Sequence, residues 1–316
     1  MFNLGDLLRK LSLLCLLPLL LGIAVYTFIH YGKRYHVHQV NQMVVRGDAQ
    51  VSFASGNIKI DDYRPRISLY SNNWSEVSRR AFPELYSFPA NTKLFRGQEV
   101  NRYSVFSSGY TSEDMTGVWI LDKQAKRLGK VKGLSGKFYY LDAGWNHTGT
   151  MLGLLYAHAI GQEYKIDIGI VNPQSLQFES LYNVSSSGKT GGTIIWVNQM
   201  FIAVCHVVNA AQHTDLFVKI DPTHLQGQQL YVDVKDRHFQ IDTSPDGNYL
   251  AFDEDPIGTG PRGIWVLNLQ TGNCVEVISE DGPNYFYTLG RWQSNRELYF
   301  FTGTYQLCKV SFNQMP

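Results

Sequence analysis

The stretch Ser185 to Gly192, SSSGKTGG, brings Gly188, Lys189 and Thr190 together, the residue types with which a glycine-rich loop cradles phosphate. The full pattern needs a glycine at position 183, where Asn183 stands, and a helix after the loop, where the pattern reads as strand. The segment therefore reads as a link between two structural units. His36-Val37-His38 places two imidazoles on one face of a strand, two ligands of a metal set with no Cys or carboxylate beside them. The competing account is a solvated strand. Asp253, Glu254 and Asp255 are the candidate oxygen ligands for a cation, set against a hydrated acidic loop.

Nucleophilic chemistry has less support. No GxSxG is present, so a Ser, a His and an acid would have to be assembled from separate strands. The four cysteines, Cys15, Cys205, Cys274 and Cys308, show no CxxC and no metal-ligand spacing. Cys15 falls in an apolar run, and the other three read as free thiols filling strand positions rather than as a disulfide framework. No catalytic residue and no cofactor is expected.

The elements that must position any such groups are strands. Aromatics make up 13% of the 316 residues, with 19 Tyr and 17 Phe, an enrichment that favours β structure. A net charge of +1 without a long basic run argues against nucleic acid as the main partner. Leu11 to Tyr31 carries no formal charge and is bracketed by Arg9, Lys10, Lys33 and Arg34. As a helix it would be roughly 31 Å long, enough to cross a hydrocarbon core. A cleaved secretory signal ending at Gly22-Ile23-Ala24 is the alternative, although VYTFIHY continues the apolar run past that site. Both send the body of the chain out of the cytoplasm. The expected layout is a short tail (1–10), a transmembrane signal anchor (11–31), a juxtamembrane linker (32–36) and a β domain (37–316).

Within that domain a weak repeat emerges. Large-small-large triplets of strand type stand at Val51-Ser52-Phe53, Tyr103-Ser104-Val105, Leu152-Gly153-Leu154, Ile202-Ala203-Val204, Leu250-Ala251-Phe252 and Leu298-Tyr299-Phe300. A second series, of short strands ending in a turn-forming residue, begins at Ile67, Val118, Ile168, Phe217, Ile264 and Leu307. Both count six units of about 50 residues, each with four short antiparallel strands, which is the pattern of β-propeller blades. The expected fold is all-β, a six-bladed propeller preceded by one transmembrane helix. The last unit lacks an outer strand, and Val37 to Val45 is expected to supply it.

Ser244 to Phe252, SPDGNYLAF, resembles the WD40-like motif of TolB-type propellers, in which a Ser-Pro-Asp-Gly turn precedes a hydrophobic strand. The other copies are looser, as in Asn146-His147-Thr148-Gly149 and Trp292-Gln293-Ser294-Asn295. The resemblance implies a propeller of the bacterial envelope that works by protein contacts. TolB carries an additional N-terminal domain, for which this chain has no room between Tyr31 and the first unit. Propeller peptidases of the prolyl oligopeptidase type carry a hydrolase domain of roughly 250 residues, which has no counterpart in this length. The expected function is a membrane-tethered, non-catalytic propeller that binds a protein partner on the periplasmic side of a bacterial inner membrane. The alternative is a propeller enzyme, a glycan or ester hydrolase or lyase, with its site at the central channel.

Overall fold

The computed structural model describes residues 37–40, 43–46, 49–53, 67–68, 74–88, 92–108, 117–134, 138–188, 190–209, 212–233, 240–253, 263–280, 287–302 and 306–315. These residues form strands, turns and two short 3-10 segments, with no α-helix among them. No helix among the described residues is long and apolar enough to cross a membrane. The expected anchor, Leu11 to Tyr31, lies outside them, as does His36.

Short alternating runs separated by Gly, Asn and Asp turns favour antiparallel meanders, and five such sheets follow one another along the chain. The first holds Leu94–Glu99, Tyr103–Ser108, Gly117–Asp122 and Arg127–Lys130, with Ser75–Glu76 on its edge. The second holds Phe138–Trp145, Leu152–Ile160, Glu163–Val171 and Phe178–Ser186. The third holds Gly191–Val197, Met200–Asn209, Gln212–Asp221 and Gln226–Asp233. The fourth is built on Gln240–Thr243, Tyr249–Asp253, Ile264–Asn268 and Cys274–Glu280. The fifth holds Tyr287–Ser294, Glu297–Thr302 and Leu307–Phe312, completed by Ala49–Phe53 from near the start of the domain.

The core lies between sheets, in layers. Tyr156 and Phe178 of the second sheet share a cluster with Val105 and Val118 of the first; Ile168 packs with Phe201, Phe217 with Phe252, and Val266 with Phe300. Each meander has two apolar faces, so each needs a neighbour on both sides, the arrangement of propeller blades. The far face of the first sheet is covered differently. There Leu85, fully buried in the 3-10 segment Pro83–Ser87, packs with Leu94, Phe106 and Leu121, and Phe82 meets Phe106 edge-on at 5.2 Å.

The sequence period reappears as hydrogen bonds between consecutive sheets, joining residues 47 to 52 positions apart. Trp145 N donates to Gln98 Oε1 (2.6 Å), Trp196 Nε1 to Gly144 O (2.6 Å) and Ile194 N to Asp142 Oδ2 (2.8 Å). Asn198 Nδ2 donates to Asp246 O (3.0 Å), Asp246 N to Asn295 Oδ1 (3.0 Å) and Trp292 N to Asp242 Oδ2 (2.8 Å).

Five of the six expected units coincide with these sheets. Their triplets sit on the second strands, and their Asp, Asn or Ser-ended runs on the third. The unit expected at Val51 differs. Val51–Phe53 is the outer strand of the fifth sheet, with Val51 opposite Val310, and Ile67–Ser68 pairs with the first strand of the fourth, Ile67 opposite Ile241. The strand that joins Leu307–Phe312 is thus Ala49–Phe53, whereas the hairpin Val37–Val40 and Met43–Arg46 lies on the outer edge of the fourth sheet, Met43 opposite Glu280. An outer strand needs the same alternation as a second strand, so the triplet alone does not say which partner it takes.

Candidate functional site

In a meander the turns between strands 1 and 2 and between strands 3 and 4 lie at one end of the sheet, and the 2–3 hairpin lies at the other. At the first end, turns of three consecutive sheets enclose two adjoining clefts of about 480 and about 290 Å³. Asn101 and Arg102 form one wall, His147 to Thr150 the ridge between the clefts, and Trp196 and Gln199 lie on the far side. Asn172 to Gln174 line the larger cleft and Pro222 and Thr223 the smaller.

The ridge is held rigidly. Asn146 Oδ1 accepts from Thr150 N (2.9 Å) and Met151 N (3.2 Å), its Nδ2 donates to Thr150 Oγ1 (3.0 Å), and Gly149 takes φ +68° to close the turn. A Cβ on Gly149 would lie 2.9 Å from Val100 of the neighbouring sheet, so backbone conformation and close approach both require glycine there. His147 and Thr148 are left exposed at the tip. Beneath them Trp145 stacks on Tyr103, 5.5 Å between ring centres, and its Nε1 donates to Gln98 O (3.1 Å).

The Arg102 wall is equally fixed. Its Nε and Nη2 donate to Asp122 Oδ2 (3.0 and 2.7 Å), and its guanidinium lies 5.0 Å from the Tyr103 ring centre. The bond from Arg102 holds the Asp122 carboxyl at about 2, below the usual carboxylate range. Asp122 Oδ1 meanwhile caps its own turn, accepting from Gln124 N and Ala125 N. Among the described residues no Asp or Glu lines either cleft.

At the opposite end a polar chain crosses the 2–3 hairpin of the third sheet. Asp215 Oδ1 lies 2.9 Å from His206 Nδ1, and His206 Nε2 lies 2.9 Å from His213 Nδ1. The register pairs His206 with Asp215 and Val208 with His213, so the two imidazoles are diagonal neighbours on one face. The second sheet has a related set, His158 Nδ1 3.7 Å from Asp167 Oδ2, with Ser180 Oγ donating to Asp167 Oδ1 at 3.1 Å. Burial holds the His158 imidazole below its ordinary pKa.

The residues singled out from the sequence fall elsewhere. Asp253 is buried, and its carboxylate accepts from Gln240 N (2.8 Å) and Leu289 N (3.1 Å), tying the fourth sheet to the fifth. Glu254 and Asp255 lie outside the described residues. No group of three or more potential metal ligands occurs among the described residues. SSSGKTGG links the second and third sheets: Ser186 Oγ accepts from Val208 N at 2.9 Å, Gly191 opens a strand, and Lys189 lies outside the described residues. Cys205 and Cys308 are buried free thiols, and burial pushes the Cys308 pKa up to about 12. Asp246 is a turn residue: burial pushes its pKa up, and bonds from Ser244 and Asn248 outweigh that and leave it lowered.

Neither the clefts nor the histidine chain is marked by a motif in the sequence. The signal for the clefts is the repeat itself, since the turns containing Asn101, His147 and Gln199 recur at one phase of the period. His206, His213 and Asp215 carry no linear motif and are joined only by strand register.

No known protein family matches the chain, and no curated protein matches it. Solved structures similar to it include TolB from Acinetobacter baumannii, at 11% identity and TM-score 0.35 over 71% of this chain and 52% of that one. A prolyl endopeptidase aligns at 12% identity and TM-score 0.44, over 72% of this chain and 35% of that one. Porphyromonas gingivalis dipeptidyl peptidase 4 aligns at 10% identity and TM-score 0.41, over 87% and 51%. The chain spans about a third to a half of the length of these structures.

Proposed function

We propose that this protein is a partner-binding β-propeller, tethered to a membrane by Leu11 to Tyr31 and displayed outside the cytoplasm, with the paired clefts as its binding surface. The observation that carries this reading is the lining of the clefts. Hydroxyls, amides, an imidazole, a guanidinium and an indole converge on hydrogen-bonded turns of three sheets, with no carboxylate to act as acid or base among the described residues that line them. Such a surface suits reversible recognition, with side chains whose positions are set before the partner arrives.

The hydrolase alternative keeps one observation, the Asp215–His206–His213 chain, in which a carboxylate orients an imidazole. The thiol that senses the Asp215 charge is Cys205, and burial raises its pKa, the reverse of an activated nucleophile.

The test is affinity capture from envelopes with the detergent-extracted full-length protein, run beside Thr148→Trp, which fills both clefts from the exposed ridge. The expected result is a reproducible partner that is lost with Thr148→Trp while the melting temperature is unchanged. A partner retained by the variant would refute the cleft assignment. Turnover of a glycan or ester substrate by the purified protein would refute the non-catalytic reading.

A further inference from the structure

The end of the first sheet that contributes Arg102 to the larger cleft differs in charge from the rest of the chain, and this points to the chemistry of the partner. Arg96, Arg102, Lys123, Lys126 and Arg127 lie on its first strand, in its two turns at this end and at the start of its fourth strand, against Glu99 and Asp122 at the ends of the first and third strands. The chain as a whole is nearly balanced, with 28 basic and 27 acidic residues. The two carboxylates are already occupied. Glu99 accepts from Arg96 Nη1 (3.0 Å) and Lys123 Nζ (3.3 Å), and Asp122 accepts from Arg102 and from two amides of its own turn. Lys126 and Arg127 are exposed.

Arg102 is the cation among the residues that line the larger cleft. Its side chain is 46% exposed, and Asp122 and the Tyr103 ring fix its plane. Its Nη1 makes no hydrogen bond among the described residues, and Arg102 lines the larger cleft. An arginine held in this way loses little rotamer freedom when an oxyanion arrives, and a guanidinium edge matches a carboxylate in shape as well as charge. Across the ridge the chemistry changes. Trp196 is half-buried with its Nε1 committed to Gly144 O, so it offers ring surface rather than a donor, and Pro222 lies beside it.

We propose that the clefts take an extended segment of a protein that carries an Asp or Glu side chain for Arg102 and an apolar side chain, across the His147-Thr148 ridge, for Trp196. This rests on the cleft reading given above. An acidic peptide is favoured over a nucleic acid because, among the described residues, Arg102 on one wall is the single Lys or Arg that lines the clefts, too few cations to track a phosphate backbone.

The experiment is selection of random 12-residue phage-displayed peptides on the detergent-extracted full-length protein, followed by fluorescence anisotropy of the enriched peptides. Enrichment of one acidic and one apolar position is expected. Arg102→Gln should weaken binding about tenfold or more, as loss of a charge-assisted hydrogen bond does. Lys126→Glu with Arg127→Glu, exposed and remote from the core, should weaken it less and mainly at low salt. The double variant reads the charge effect even if Arg102→Gln disturbs the wall. Enriched peptides without an acidic residue that still lose binding to Thr148→Trp would overturn the acidic assignment and leave the cleft reading standing. Peptides indifferent to Thr148→Trp, or no enrichment at all, would overturn both. Displacement by a short DNA oligonucleotide at micromolar concentration would replace the acidic peptide with a general polyanion.

Discussion

Asp142 shows how this molecule uses a buried charge-bearing group. Its carboxyl accepts from Thr193 Oγ1 (2.9 Å) and Ile194 N (2.8 Å) of the next sheet, yet burial dominates and raises its pKa. A raised carboxyl pKa means that its contribution to stability is complete below its unfolded value, near 3.9, and is lost as pH rises through the folded value. Asp142→Asn should therefore abolish part of the decline in stability between acidic and neutral pH, while Asp142→Ala strands the Ile194 amide and should cost about 1–3 kcal/mol. Urea unfolding of the three proteins at pH 5 and pH 8 checks both statements. None of this was legible from Asp142 alone, because its partners lie about 50 residues away. A wild-type profile parallel to that of Asp142→Asn would show that the carboxyl is not perturbed.

Among the elements, the turn between strands 3 and 4 recurs most faithfully. Asp122, Asn172, Asp221 and Asn268 each cap it by accepting from the amides two and three residues on. Lys126, Leu176, Leu225 and Gly272 then close it at positive φ, from +48° to +75°. Only the last is a glycine, so the other three adopt a conformation that L-residues disfavour. Leu225 is half-exposed and has little packing to lose. Leu225→Gly should stabilise the protein by about 0.5–1 kcal/mol, measured by chemical denaturation; a loss of stability would mean that its side chain packs more than its exposure indicates. These turns are why the third strands of four sheets are legible: Asp or Asn after an alternating run marks the strand end by its own hydrogen bonds. Outer strands have no such mark. Val51-Ser52-Phe53 accordingly reads as part of a unit of its own, and the pairing of Ala49–Phe53 with Leu307–Phe312 emerges only from register. The His206–His213–Asp215 chain escaped for the same reason.

At the scale of the whole molecule, the period of about 50 residues has two consequences. It stacks apolar faces into layered cores, and it aligns turns so that consecutive sheets hydrogen-bond to one another at one end. That end is therefore tied together by these bonds, the order on which the proposed recognition by the clefts rests. The best-preserved motif, Ser244 to Phe252, belongs to this scaffold: Gly247 lies against Asn198 of the neighbouring turn, and Asp246 is bonded within its own. Variation among turns, from Arg102 to His147 to Gln199, is where the sequence departs from its own repeat, and the proposed binding surface consists of those departures.

The most direct test is hydrogen–deuterium exchange of the full-length protein with and without its captured partner. The proposal expects protection in the turns at 100–103, 146–151, 172–174 and 196–199, with the remaining strands unchanged. Protection centred instead on the opposite hairpins, at 158–165 and 206–213, would contradict it and place the function at the histidine end.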